Sequence, residues 1–481
     1  MRNTATPLDI LALHREACRI IPAYAEVAKA RTAADLFIRQ SIDDIPVTDK
    51  SALFAGDLTS HLFRPTSATI GHLSSGSSGK PTVWFRGTKH KRNGSEAYDR
   101  ILKRIFQIPP HESTLVVVCF SMGMWVAGTY TLLAFESIAD TFPGGLSIVT
   151  PGIDLDDTLI VLRDIAPCFD HVVLAGYPGY IDLLTARLLK HAAPIPQRLH
   201  LITSGDKSSE AWRHSTMQAL GIPRTASIVN VYGSSDAGIL AHETPLTIAI
   251  RRRALVDSEL ASEVFGGAHP ACQPALFQYD PSRLHFEQLG GELVLSADVD
   301  LPLLRYNIHD AGQVFGYEEM MAILGSRHAA DVADWRFPFV TVSHRNDVAL
   351  PYFGLKIPLD QLRSGLVGSD VADHLSGGFI AHTTSHPADT AEQLLLDLEL
   401  SQGTLASAVM DRAEISRRIH ERLVELNSEY RKLSSMLGQA RVQPEVRLHP
   451  CGSLEHLTKC LQSPAIYAQA GKKPRMLMSP A

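Results

Sequence analysis

Between residues 115 and 233 the chain repeats one texture: a short apolar run, then a longer segment with apolar residues on one face. The runs are LVVVCF (115–120), LSIVT (146–150), HVVLAG (171–176), RLHLITSG (198–205) and SIVNVYG (227–233). Runs that stay apolar, instead of alternating with polar positions, predict strands buried on both faces. Segments between them, such as YIDLLTARLLKHA (180–192), carry apolar residues at helical spacing. The alternation predicts an α/β fold with a mostly parallel sheet flanked by helices. The first 60 residues read as helix from LDILALHREACRIIPAYAEVAKA (8–30), with a turn before DDIPVTDKSALFAG (43–56). Beyond residue 275, ALFQYDPSRLHFEQLGGELVLSADVDLPLLRY (275–306) alternates and contains the hairpin signal LGGE (289–292), which predicts a smaller antiparallel sheet. From VSHRNDVALPYFGLKIP (342–358) the plan changes again, and a long charged helix is expected over 410–437. A domain boundary is therefore expected near residue 345, giving units of 1–344 and 345–481, the second a small, mobile α+β domain.

At 481 residues the chain is too long for one ordinary core, which agrees with more than one domain. A net charge of −6 leaves no basic stripe, so neither nucleic acid nor an anionic membrane is an expected partner. The triplet Arg251–Arg253 reads as a solvated turn. No window approaches 18 uninterrupted apolar residues, and the N-terminus does not read as a signal peptide. Six scattered cysteines without a C-x-x-C pair imply a reduced, cytoplasmic protein with neither disulfide framework nor structural zinc.

Three stretches carry candidate chemistry. The first is GHLSSGSSGKPT (71–82). It is no Walker A loop, because Ser74 stands where the first Gly belongs and Pro81 follows Lys80. Its glycines permit close backbone approach, its hydroxyls and amides donate hydrogen bonds, and Lys80 adds charge, so it reads equally as a linker or a phosphate cradle. The second is NVYGSSDAG (230–238), which puts Tyr232 and Asp236 at the carboxyl end of a buried strand, where open α/β sheets collect ligands. Tyr232 suits stacking on a flat ring and Asp236 suits Mg²⁺; a Ser/Gly turn capped by Asp is the plainer account. The third is LPLLRYNIHDAG (301–312), where Asp310 suits a pair of ribose hydroxyls and Arg305 could orient the loop, or the two form a buried ion pair. Two other spacings carry less. SGDK (204–207) contains Ser-x-x-Lys without its companion motifs and reads as a helix start. His382 and His386 are four apart with no Glu between them, in HTTSHP, which reads as a loop and not a metal site.

In combination and order, these stretches together with HRND (344–347) and GKKPR (471–475) resemble the adenylate-forming superfamily, most closely its phenylacetate-CoA ligase and acyl-protein synthetase-like branch. IPVTDKSAL (45–53), AGYPGYIDLL (175–184), LITSGDKSSEAWR (201–213), GGELVLS (290–296) and LNSEYRKL (426–433) extend the likeness over nearly the whole chain. The resemblance implies ATP and Mg²⁺. Ser74, Ser75, Gly76, Ser77, Ser78, Gly79 and Lys80 would form the loop over the β- and γ-phosphates. Tyr232, followed by Gly233, would lie against the adenine, Ser235 would touch the α-phosphate, and Asp236 would take the magnesium position usually held by Glu. Asp310 would bind ribose, Arg345 would match the arginine after the large domain, and Asp347 the hinge. Lys472, in preference to Lys473, would match the catalytic lysine in its Gly-Lys-x-x-Arg setting. FSMGMWVAGTYT (120–131) falls where the acyl pocket should be, and Met122, Met124, Trp125 and Tyr177 would favour a flat or apolar acid; an apolar run beside a strand also reads as core.

The implied activity is ATP-dependent adenylation of a small, aromatic carboxylic acid, with CoA, a carrier-protein thiol or an amine as acceptor. Adenylation of another oxyacid such as nitrite, for nitrogen–nitrogen bond formation, is the neighbouring alternative, and a non-catalytic nucleotide- or acyl-binding protein is the alternative of another class. Departures from the family pattern are His309 beside Asp310, and His344 and Val348 in the hinge motif. Dimers are common in that branch, so the resemblance also raises a homodimer.

Overall fold

The computed structural model describes residues 6–21, 24, 41–53, 68–73, 83–123, 126–205, 208–266, 273–325, 335–343, 349–352, 355–366, 374–385, 392–404, 411–454, 457, 465–468 and 475–477. The chain divides into two compact units; one contains Val83–Gly267 and Pro274–Val342, and the other runs from Ser343 to the C-terminus.

In the first unit, helix α1 (Ile10–Ile20) is followed by strands β1 (Ala68–Leu73) and β2 (Val83–Gly87), an antiparallel pair in which Leu73 faces Val83. Helix α2 (Thr88–Arg100) leads into β3 (Thr114–Cys119), α3 (Val126–Ala139), β4 (Leu146–Val149), β5 (His171–Gly176), α4 (Pro178–Lys190), β6 (Leu199–Ser204), α5 (Glu210–Leu220) and β7 (Ile228–Ser234). Strands β4-β3-β5-β6-β7 are mutually parallel in that spatial order. All six residues of β3 and of β5 are buried, as their unbroken apolar runs require. Odd and even positions serve opposite faces. Val116, Val118, Val173 and Ala175 pack with Tyr98, Ala134 and Phe135 of α2 and α3, while Leu115, Val117, Val172 and Leu174 pack with Tyr180, Ile181 and Leu184 of α4. Each such aliphatic side chain contributes about 1.5–3 kcal/mol by leaving water.

The sheet continues antiparallel through β8 (Gly238–His242), β9 (Ala275–Gln278), β14 (Phe339–Val342) and β13 (Val314–Phe315). Helix α6 (Pro245–Ala254) follows β8. A separate antiparallel sheet comprises β10 (Leu284–Leu289), β11 (Glu292–Ala297) and β12 (Leu303–Ala311). The LGGE signal is its first hairpin: Gly290 (φ 59°) and Gly291 (φ 85°) supply the left-handed pair that a two-residue turn demands. Residues 275–278, expected in this small sheet, instead join the large one as β9, where all four are buried. Thr48 bridges to Tyr306, exchanging main-chain hydrogen bonds with Arg305 and Asn307 across β12 (2.9 and 2.7 Å).

The second unit has a sheet ordered β19-β18-β17-β20-β21: β17 (Leu375–Ser385), β18 (Glu392–Leu400), β19 (Glu445–His449), β20 (Ala465–Ala468) and β21 (Arg475–Leu477). Ile415, Ile419 and Leu423 of α7 (Arg412–Leu426) pack on Phe379, Leu394 and Leu396, with Leu350, Tyr352 and Ile357 of a small hairpin, β15 (Ala349–Tyr352) and β16 (Leu355–Pro358).

Four expectations need correction. The N-terminal helix breaks at Ile21, whose backbone is extended, while residues 22–23 and 25–40 of the expected helical stretch lie outside the described residues, and residues 42–44 and 50–53 form short helical turns. The long charged helix is two, α7 and α8 (Ser428–Leu437), broken at Asn427, whose backbone is extended and whose Oδ1 accepts from Tyr430 N at 2.9 Å, capping the second helix. HTTS lies in β17, paired along its length with β18, and His382 there is buried against Asp397 (3.1 Å), which His449 also approaches (2.7 Å). Arg251–Arg253 end α6, and Arg251 is buried in an ion network, not solvated.

Candidate active site

The parallel order β4-β3-β5-β6-β7 sends the chain from β3 in opposite directions, which opens a crevice beyond the carboxyl ends of β3 and β5. Cys119 and Gly176 pair as the last residues of those strands, so Phe120 and Met122 on one side and Tyr177 on the other stand at that crevice. The Phe120 and Tyr177 rings meet edge to face, 4.9 Å apart. Met122 packs partly buried against the same cluster. Gly205, beyond β6 with φ 86°, makes room for the tyrosine: a Cβ there would lie 2.5 Å from Tyr177 Cε1. Burial pushes the Tyr177 phenol up to about 12, so it stays neutral.

One strand further, β7 turns back into β8. Ser234 pairs with Gly238, leaving Ser235, Asp236 and Ala237 as a three-residue turn closed by Gly238 at φ 79°. Ala237 N donates to Ser234 Oγ (3.0 Å) and Ser235 Oγ donates to Asp236 Oδ1 (3.0 Å). Gly233 is needed for close approach, since a Cβ on it would sit 3.1 Å from the Gly238 carbonyl oxygen.

Strand β12 supplies the opposite wall. Its side chains alternate, so Tyr306, Ile308 and Asp310 are buried while Asn307 and His309 are more open. Tyr306 hydroxyl donates to Asp236 Oδ2 (2.9 Å), and Tyr232 hydroxyl donates to Asp310 Oδ2. Two stretches, 232–236 and 306–310, thus clasp each other at both ends. Irregular backbone on β12 sets this aim: Arg305 (φ 41°) and His309 (φ 61°) are left-handed, and the pairing with β11 shifts register twice. The Tyr232 ring lies near parallel to Phe277 (5.7 Å) and Phe286 (6.4 Å). Burial, then the Asp236 charge, raises Tyr306 well above the usual phenol range, so it remains a donor.

Tyr232, Gly233, Ser235, Asp236 and Asp310 are therefore brought together, while Met122 and Tyr177 sit at the neighbouring crevice. Arg305 does not pair with Asp310; its guanidinium binds Glu287 (2.9 Å) and the carbonyl oxygen of Ile45 (2.9 Å). His309 turns towards Asp49 (3.7 Å) and Glu292 (3.5 Å). Ser74–Lys80, Met124, Trp125, Arg345, Asp347 and Lys472 lie outside the described residues. Sequence reasoning passed over Tyr306, although it stands in a quoted motif, and Arg86, which stands just beyond one. Arg86 Nη2 donates to the main-chain oxygens of Ser235 (2.6 Å) and Asp236. Nothing in a linear pattern announces contacts between residues 150 positions apart.

Asp236 is half-buried, and its carboxylate meets only hydroxyl donors among the contacts above. Among the described residues there is no cluster of three or more His, Cys, Asp or Glu that could hold a metal. Any metal here would be held by one hard carboxylate and by oxygens of a substrate, the usual pattern for Mg²⁺.

No protein-family model and no curated protein matches the chain. Solved structures do. A 2-hydroxyisobutyryl-CoA ligase in the postadenylation state, in complex with R3-HIB-AMP, matches with a TM-score of 0.59 at 16% identity, over 92% of this chain and 86% of that one. AtGH3.15 acyl acid amido synthetase in complex with 2,4-DB matches with a TM-score of 0.54 at 12% identity, over 94% and 89%. At these identities the likeness is one of fold.

Proposed function

Starting from a fold shared with adenylate-forming enzymes, we propose that this chain uses ATP to convert a small, apolar and aromatic carboxylic acid into its acyl-adenylate, then passes the acyl group to a thiol of CoA or a carrier protein, or to an amine. The observation that carries the reading is the clasp of Tyr232 and Asp236 on Asp310 and Tyr306, at the carboxyl edge of the sheet.

In the first step a carboxylate oxygen attacks the α-phosphorus, the bond to the bridging oxygen breaks, and pyrophosphate departs. No protein nucleophile is needed; positioning and charge neutralisation do the catalysis. Tyr232 would face the adenine, and Asp310, already held by the Tyr232 hydroxyl, would accept from ribose. Ser235 would donate to the α-phosphate. Asp236 and the phosphates would hold Mg²⁺, which when bound offsets the charge gathering on the departing pyrophosphate. Ser74–Lys80 would cover the β- and γ-phosphates, with Arg345 and Lys472 adding charge and Asp347 acting as the hinge. The acid would lie between Met122 and Tyr177, whose apolar, ring-lined surroundings support a flat substrate. In the second step the thiol or amine attacks the acyl carbon, AMP leaves, and the acceptor's proton goes to solvent.

The test is ATP–pyrophosphate exchange with Mg²⁺ and no acceptor, across aryl acids, short aliphatic acids, amino acids and nitrite. Exchange dependent on an aryl acid is expected, and Lys472→Ala should lower it by about 10²–10³. Nucleotide binding without exchange on any acid refutes the catalytic reading; exchange on nitrite alone refutes the carboxylic acid.

A further inference from the structure

The inward face of the β1–β2 pair carries an arrangement that a structural account does not require. His72 lies opposite Trp84 in the register, and Arg86 follows two residues on, so all three side chains point the same way, into the protein. His72, Arg86 and His90 of α2 are 1%, 2% and 3% exposed. The His72 and His90 rings are 6.4 Å apart, and His90 rests 4.1 Å from the Tyr130 ring. His90 also fills the space over Gly238, where a Cβ would fall 2.6 Å from its Cε1.

Other buried arginines of this unit satisfy their charge with carboxylates, as Arg213 and Arg251 do with Glu243. Arg86 does not. Its Nη2 donates to the carbonyl oxygens of Ser235 and Asp236, while Nε and Nη1 have no hydrogen-bond partner among the described residues. The nearby Asp300 carboxylate is committed elsewhere, accepting from the main-chain nitrogens of Gly87 (2.8 Å), Lys89 (3.1 Å) and His90 (2.9 Å) and so capping α2. The guanidinium stands 5.1 Å from the Trp84 ring centroid, which favours a cation without neutralising it. Burial, aided by the Arg86 charge, lowers His72 to about 4 and His90 well below its ordinary value, so neither adds a second positive charge.

We infer that Arg86 is a positioning residue for metal-bound nucleotide: by gripping the main chain of Ser235 and Asp236 and not the carboxylate, it fixes the turn while leaving the Asp236 side chain available to Mg²⁺. The inference rests on the adenylation reading for the identity of the ligand, but it concerns binding and not turnover. Tyr306 holds the carboxylate, so the main chain and the side chain of Asp236 are each fixed by a separate donor. One guanidinium nitrogen, Nη2, reaches both carbonyl oxygens, and the planar, pre-organised group holds it there better than a flexible lysine ammonium would.

Wild type, R86K and R86A are compared in the full-length chain. Mn²⁺·ATP binding is followed by the EPR signal of Mn²⁺, ATP binding in EDTA by calorimetry, and folding by melting temperature. The expected result is at least a tenfold loss of Mn²⁺·ATP affinity in R86A and a smaller loss in R86K, with metal-free ATP affinity within twofold of wild type. Millimolar guanidinium should restore metal-dependent affinity to R86A. R86K, which keeps the stem and a cation, stands in should R86A fail to fold. Equal losses with and without metal, or wild-type metal affinity in the folded variants, overturn the role. A wild type that binds no nucleotide overturns both readings, whereas silent pyrophosphate exchange with the selective Mn²⁺ defect intact sinks only the adenylation chemistry.

Discussion

Glu243→Gln should expose how the candidate site is held from beneath. Glu243 is fully buried and accepts from Arg213 Nη2 with both oxygens (2.7 Å each), from Arg251 Nη1 (2.7 Å) and from the main-chain nitrogen of Asn230 on β7 (2.8 Å). Arg213 also bonds Glu210 (3.1 Å) and the Ile228 carbonyl oxygen, so two arginines and two glutamates form a neutral quartet tied to β7, the strand that carries Tyr232. Gln keeps the volume but removes one negative charge and turns an amide NH₂ towards groups that are themselves donors. Breaking a buried pair on one side costs about 3–5 kcal/mol, because the surviving charge stays buried. For a unit of this size that corresponds to about 6–10 °C in Tm, at roughly 2 °C per kcal/mol. Burial raises the Glu243 pKa, but Arg213 and Arg251 outweigh it and the net direction is down. The folded pKa is depressed, so the stabilisation is complete above the ordinary glutamate range and fades as pH falls through the folded value. The Tm gap between wild type and E243Q, read by calorimetry, should therefore be full at neutral pH and narrow on acidification. Adding R251Q restores neutrality, and the double variant should lose less than the two singles together. A gap below 2 °C at neutral pH, or strict additivity, would refute the account.

Three further outcomes follow from other parts of the molecule. Asp236→Asn keeps one acceptor oxygen for the two hydroxyls, replaces the other with a donor and loses the charge offered to Mg²⁺, so pyrophosphate exchange should fall by about 10² or more with only a small drop in Tm; unchanged exchange would remove Asp236 from the metal site. Gly238→Ala forces a side chain into a left-handed turn at φ 79° and 2.6 Å from His90, costing about 1–2 kcal/mol in backbone strain alone plus the clash, visible as a lower denaturation midpoint. In the second unit, burial raises the Asp397 pKa, but hydrogen bonds from His382 and His449 bring it down overall; that stabilisation should be present at neutral pH and lost as pH falls through the folded value, and Asp397→Asn should abolish the dependence at a cost of about 2 kcal/mol.

Much of the fold was legible because its signals are local. The five parallel strands announce themselves as unbroken apolar runs, and LGGE marks its hairpin, since each depends only on neighbouring residues. What misled was shared between remote segments. ALFQ looks like part of the alternating run after it, yet β14, some 60 residues on, takes it into the large sheet. Arg251 looks like one of three solvated arginines until Glu243 and Glu210 close around it. Asn427 looks like one residue of a long helix, but its side chain and Tyr430 N make it a cap.

The candidate site divides along the same line, and the division says something about how it is built. Residues proposed to meet ligand stand in short motifs, because a turn that offers a hydroxyl and a carboxylate side by side must encode them side by side, as Ser235 and Asp236 do. Residues that hold those groups in place act across the fold: Tyr306 reaches Asp236 over 70 positions and Arg86 over 150. Tyr306 keeps its proton because its pKa is raised, so its hydroxyl has a hydrogen to donate to the carboxylate. Arg86 can only donate, and the fold gives it carbonyl oxygens instead. Separate donors therefore hold the main chain and the carboxylate of the Asp236 turn. A turn held in this way pays little reorganisation on meeting a cation, and that preorganisation is what a site working by positioning and charge must supply.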